Sequence, residues 1–102
     1  MNAILDDQRA QISALCRRFH VRRLDLFGSA ARGFDFTDHS DLDFLVDYEP
    51  SHSPPSLSDF FELREALRTL LGRKVDLTMD SALRNPFLRS AIERTRRNVH
   101  GA

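Results

Sequence analysis

A small α/β (α+β) domain, with a mixed sheet of three to four strands covered by helices on one face, is predicted for this chain by three observations. Residues 41–48 and 74–78 alternate apolar and polar side chains with the two-residue period of a strand. Three longer stretches, near residues 3–20, 59–71 and 86–95, repeat apolar residues at helical spacing. Taken in order, the elements read helix, strand, short helix, strand, helix, strand, helix, which builds one sheet with helices on one side and leaves its other face open for a site.

The first helix takes its apolar stripe from Leu5, Ile12, Leu15, Cys16 and Phe19. Leu24-Asp25-Leu26-Phe27 is a short strand that runs into Gly28-Ser29, and Ala30-Ala31-Arg32 starts a brief helix that Gly33 ends. In the next strand Leu42, Phe44, Val46 and Tyr48 point one way, while Asp41, Asp43, Leu45 and Asp47 point the other. A loop rich in proline and serine spans residues 49–58. Asp59 is the expected cap of the following helix, with Glu62 three residues on, and Phe60, Leu63, Leu67, Leu70 and Leu71 form its buried stripe before Gly72 stops it. Val75 and Leu77 then turn inward and Asp76 outward. Asn85 before Pro86 starts a last helix with Leu88, Ala91, Ile92 and Thr95 on one side. Residues 96–100 either add an edge strand or fray.

At 102 residues the chain, 1–102, forms one domain with a modest core and has no room for a second, substrate-recognition domain. Fifteen basic residues balance fifteen acidic ones, so net charge gives no reason to expect direct nucleic-acid binding or attachment to an anionic membrane. The charges are unevenly placed, however. Residues 34–49 hold six acids and no Lys or Arg, whereas residues 81–102 hold five arginines against Glu93. Such an acidic centre suits divalent cations. Cys16, the single cysteine, excludes an internal disulfide and a cysteine zinc site, and its place on the apolar stripe marks it as inert core. Neither a leader pattern nor a membrane-length apolar run is present, so a cytoplasmic location is expected.

The chemistry concentrates in two stretches. Asp41 and Asp43, two apart on a strand, present their carboxylates on one face and can grip one or two hard cations. If Asp76 projects onto the same face from a neighbouring strand, it completes the metal site and can orient or deprotonate an acceptor hydroxyl. Gly28 lets backbone approach a phosphate, the amides of the following helix offer donors, and Ser29 adds a hydroxyl. Arg32 either forks onto phosphate or neutralises the acidic face. Asp25, Asp35, Asp38 and Asp47 read as solvated. His20, His39, His52 and His100 lack metal-ligand spacing and receive no role. Phe34 and Phe36 read as local packing, and Arg96 and Arg97 as a solvated tail.

At these residues the chain resembles the polymerase-beta-type nucleotidyltransferase superfamily, and its minimal members, the MNT proteins. Gly28-Ser29, Asp41-Leu42-Asp43, and Asp76 within Val75-Asp76-Leu77 match the Gly-Ser, Asp-x-Asp and third-acid pattern, and Ala31-Arg32-Gly33 resembles the Ala-Arg-Gly that often follows the Gly-Ser. Ala30 departs from the basic or larger residue common there, and the interval from Ser29 to Asp41 is one residue longer than in many minimal members. The resemblance implies the nucleotidyltransferase fold and transfer of a nucleoside monophosphate, commonly AMP from ATP, to an acceptor hydroxyl with release of pyrophosphate. It implies that Gly28 and Ser29 bind the β and γ phosphates, that Asp41 and Asp43 ligate two magnesium ions, and that Asp76 ligates one of them and helps activate the acceptor.

Minimal members are often paired with a HEPN ribonuclease toxin, which they adenylylate on tyrosine. An enzyme-antitoxin acting on a HEPN-type partner is therefore the leading expectation. The second is a non-catalytic antitoxin that neutralises its partner by contact, which the intact set of three acids argues against. A manganese-dependent glycosyltransferase is disfavoured by chain length. Base preference and homo-oligomer formation are not decided by the sequence.

Overall fold

The structure is a computed structural model that describes residues 3–28 and 41–101, with side chains from residue 8 onward. Helix α1 (Ala3–Arg18) is followed by strands β1 (Val21–Phe27) and β2 (Leu42–Tyr48), helix α2 (Leu57–Leu71), strand β3 (Val75–Met79), helix α3 (Pro86–Thr95) and strand β4 (Arg97–His100). Single 3-10 turns at Pro50–His52 and Asp80–Ala82 follow β2 and β3. Leu5's side chain, Ser29, the expected short helix at Ala30-Ala31-Arg32 with Gly33, and Phe34, Asp35, Phe36, Asp38 and His39 lie outside the described residues.

The four strands form one mixed sheet in the order β3-β2-β1-β4. β1 is antiparallel to both β2 and β4, and β2 is parallel to β3. The parallel pair is joined through α2, the crossover that such a pair requires. Alternation sorts the side chains as expected. Leu24, Leu26, Leu42, Phe44, Val46, Tyr48, Val75 and Val99 pack against Ile12 and Cys16 of α1 and Leu63, Leu67 and Leu71 of α2. Cys16 is fully buried, and burial pushes its thiol up to about 12, which fits an inert core residue.

Four details differ from expectation or resolve it. β1 begins at Val21, three residues early, because His20 turns the chain with φ 60 and Val21 already pairs with Tyr48. Residues 97–100 form the edge strand rather than fraying. The cap of α2 is Ser56, whose Oγ accepts from the Asp59 amide at 3.0 Å, so the helix starts two residues before Asp59. Asn85 caps α3 as expected, its Oδ1 accepting from Phe87 N at 2.9 Å and Leu88 N at 3.3 Å.

The sheet's second face also departs from expectation, being not open throughout. Leu45 is 1% exposed, Ile92 of α3 is 4% exposed and Asp25 is fully buried. The expectation of a solvated Asp25 fails because strand alternation fixes a side chain's face but not what covers that face. Arg96 Nε donates to Asp25 Oδ2 at 2.5 Å, Asn98 Nδ2 donates to Oδ1 at 3.0 Å, and Arg23 Nε stands 3.0 Å from Oδ2. Arg96 also pairs with Glu93. A buried carboxylate is tolerated when its charge is matched and its lone pairs are occupied. Arg96 is thus an internal clamp where the sequence suggested solvated tail, while Arg97 is exposed as expected.

Candidate active site

Strand register assembles the acids. Phe27 pairs with Asp43 across β1 and β2, and Asp43 pairs with Asp76 across β2 and β3, so a single row crosses three strands. Residues paired in this way share a face. Asp41, two residues before Asp43, enters the same face from just ahead of the start of β2. The third acid, placed from alternation alone, therefore stands beside the Asp-x-Asp pair.

Gly28 follows directly from β1, with φ 73. A Cβ at this position would fall 2.5 Å from Asp43 Oδ2, far inside contact distance. Two constraints thus favour glycine here: the left-handed backbone and the carboxylate pressed against it. The close approach leaves the turn's backbone next to the acid that would share any cation with a bound phosphate. Ser29 and Arg32, the other two expected phosphate-binding residues, lie outside the described residues.

Electrostatics mark Asp43 as the stressed member. Burial, the neighbouring charges of Asp76 and Asp41, and a hydrogen bond with Asp76 all push its carboxyl above the usual carboxylate range. Lys74, just before β3, offers partial relief on one side, its Nζ lying 3.8 Å from Asp41 Oδ2. Sequence reading gave Lys74 no role. Its only signal was position, one residue ahead of a strand that pairs in parallel with β2.

A second feature was also missed. An open, mostly apolar hollow of about 570 Å³ lies beside Gly28, walled by Phe27 on one side and Leu88, Ala91, Ile92 and Thr95 of α3 on the other. The sequence places Leu88, Ala91, Ile92 and Thr95 on one side of α3 without saying what that side faces. Only Ile92 is buried; Leu88 is 49% exposed and Phe87 is 85% exposed. Helical periodicity shows that a stripe exists, but it does not distinguish a stripe that faces the core from one that faces a hollow.

The sequence profile of the nucleotidyltransferase domain matches residues 9–99, nearly the whole chain. The chain belongs to the nucleotidyltransferase domain family. Among its relatives is the protein adenylyltransferase MntA of Thermococcus cleftensis, 44% identical over 78 residues, spanning 76% of this chain and 75% of that protein. A solved structure described as a minimal nucleotidyltransferase superposes with a TM-score of 0.75 at 36% identity, covering 91% of this chain and 90% of the other. The MNT antitoxin in complex with a tri-AMPylated HEPN toxin from Shewanella oneidensis shares the fold, with a TM-score of 0.69 at 19% identity over 96% of this chain and 73% of that one. The protein is an enzyme, a minimal nucleotidyltransferase, and the mixed sheet with its helices is the nucleotidyltransferase fold. Among the described residues no helix is long and apolar enough to cross a membrane.

Proposed function

We propose that the protein is a magnesium-dependent protein adenylyltransferase that moves AMP from ATP to a tyrosine hydroxyl of a HEPN-type partner, acting as the partner's antitoxin. The observation that bears most weight is the row across three strands, in which Gly28 abuts Asp43 and Asp43 faces Asp76. The adenylyl donor and the protein acceptor are taken from what the similar proteins are called: a protein adenylyltransferase, and an antitoxin beside an AMPylated toxin.

The residues suit two magnesium ions. Three carboxylates offer hard oxygen donors, and the burial and neighbouring acid charges that raise the carboxyl of Asp43 are a cost that bound positive charge would offset. Asp41 and Asp43 would hold both ions and Asp76 one of them. Magnesium bound there would neutralise the triphosphate and fix the attacking and leaving oxygens in line.

Gly28, with Ser29 and Arg32 beyond it, would receive the β and γ phosphates, placing the α-phosphorus over the acid row. The acceptor oxygen bonds to that phosphorus, and the bond to the β-bridging oxygen breaks. Pyrophosphate leaves with the electron pair, and the acceptor proton passes to the Asp76 carboxylate. Asp76 is suited to that task because it is exposed and stands at the open edge of the row. Phe87, Leu88 and the hollow beside Gly28 supply apolar surface against which an acceptor protein can seat a tyrosine.

The test is a transfer assay with ATP, magnesium and the product of the neighbouring gene, which this reading expects to be a HEPN-type protein. The partner should gain AMP in a manner lost with Asp41→Asn plus Asp43→Asn. An unmodified partner that is nonetheless neutralised would favour the contact-only antitoxin.

A further inference from the structure

His20, Glu49 and His52 are brought together at the end of the sheet opposite the acid row. Glu49 follows the last residue of β2, six residues beyond Asp43, so about 20 Å separates the two places at strand rise. The donor atoms of the three side chains all lie within 4.8 Å of one another, and all three residues are exposed. Among the described residues no other trio of histidine, cysteine or carboxylate side chains gathers so closely.

Several features hold this group in place. His20 occupies the left-handed region at φ 60, a conformation that costs a branched or bulky residue energy and that glycine would adopt freely. Its carbonyl accepts from the Glu49 amide at 2.9 Å, tying the two backbones together. The imidazoles of His20 and His52 stack with centroids 3.6 Å apart and planes 5° from parallel, and His20 Nδ1 stands 3.8 Å from Glu49 Oε2. Ser51 Oγ lies 2.8 Å from His52 Nδ1, which leaves His52 Nε2 as the nitrogen available for coordination. Outer partners of this kind orient ligating histidines in metal sites.

We propose that His20, Glu49 and His52 form a second metal site, distinct from the acid row, that takes a divalent transition ion such as zinc. Two imidazoles and a carboxylate are a donor set for zinc and not for magnesium, which prefers oxygen. Donors about 2 Å from a tetrahedral ion stand about 3.4 Å apart, closer than the observed spread of up to 4.8 Å, and the stacked imidazoles tilt apart on binding so that both ring planes pass through the ion. Three protein ligands leave the fourth position for water or for a side chain of a partner protein. Cys16, the one thiol in the chain, is buried in the core and cannot compete.

The full chain carrying Asp41→Asn and Asp43→Asn, kept in excess magnesium, is titrated with Zn2+ and separately with Co2+. One equivalent of each should bind, with cobalt developing the visible absorption of a low-coordinate nitrogen and oxygen site. His20→Gly keeps the turn and removes a ligand; it and His52→Ala should each weaken binding at least about 100-fold, and Ser51→Ala about 10- to 100-fold. In the otherwise native chain, His20→Gly and His52→Ala should leave magnesium-supported transfer unchanged. Absence of stoichiometric binding, or equal binding by the folded His20→Gly and His52→Ala proteins, would overturn the proposal.

Discussion

Gly28 and Asp43 form the contact on which the site turns, and each can be tested by one substitution. Gly28→Ala places a methyl group 2.5 Å from Asp43 Oδ2 on a left-handed backbone. The backbone alone costs about 1–2 kcal/mol, so urea denaturation should show at least that loss, and transfer should fall further than the unfolded fraction explains. Asp43 has the opposite stability effect. Its folded carboxyl titrates above the ordinary value, so the folded state holds the proton more tightly than the unfolded chain does. The stability tied to that proton is present below the ordinary carboxyl range and is lost as pH rises through the raised folded value. Without magnesium, Tm should therefore decline over that window, and Asp43→Asn should flatten the decline and raise Tm at neutral pH. The same variant should lose more than about 100-fold in transfer, the upper end of what losing an outer metal partner costs. A drop in Tm for Asp43→Asn would mean that the acids are not held against one another as described.

Among the elements, α3 and β4 depend on a contact the sequence did not announce. Asp25, Arg96, Asn98 and Arg23 lock the segment after α3 onto β1, two residues ahead of Phe27. Asp25→Ala should cost about 3 kcal/mol by leaving Arg96 with its main partner gone, whereas Asp25→Leu combined with Arg96→Leu should cost less than the two single changes summed. Denaturant midpoints measure the cycle. The contrast with β2 explains what was legible. Its alternation placed Leu42, Phe44, Val46 and Tyr48 in the core and the acids opposite, because period two is a property of the strand itself. Burial of Asp25 was not legible, since it depends on Arg96, 71 residues away, folding back across the sheet. The exposed side of α3 was hidden for the same reason: Leu88 and Ile92 are equivalent in the pattern and differ only in what packs on them. Of the site, Asp41, Asp43, Asp76 and Gly28 could be found from spacing, while Lys74 and the hollow beside Gly28 emerge only from strand register and helix docking.

At the scale of the whole molecule, the chain joins a nucleotidyltransferase core to an apolar surface next to the turn at Gly28. Phe87 and Leu88 contribute little to the core, so Phe87→Ser with Leu88→Ser should change stability by no more than about 1 kcal/mol. If that surface receives the acceptor protein, the double variant should raise the KM for the acceptor while leaving the KM for ATP as it was, measured in the same transfer assay. What moves from ATP to the proposed partner decides the reaction. Incubation with ATP labelled at the α-phosphate, in magnesium, with the product of the neighbouring gene, the proposed HEPN-type partner, should place label on a tyrosine of that protein and release unlabelled pyrophosphate, with both signals lost in Asp41→Asn plus Asp43→Asn. Label arriving from the γ-phosphate instead, or α-label that persists in the doubly substituted protein, would contradict it.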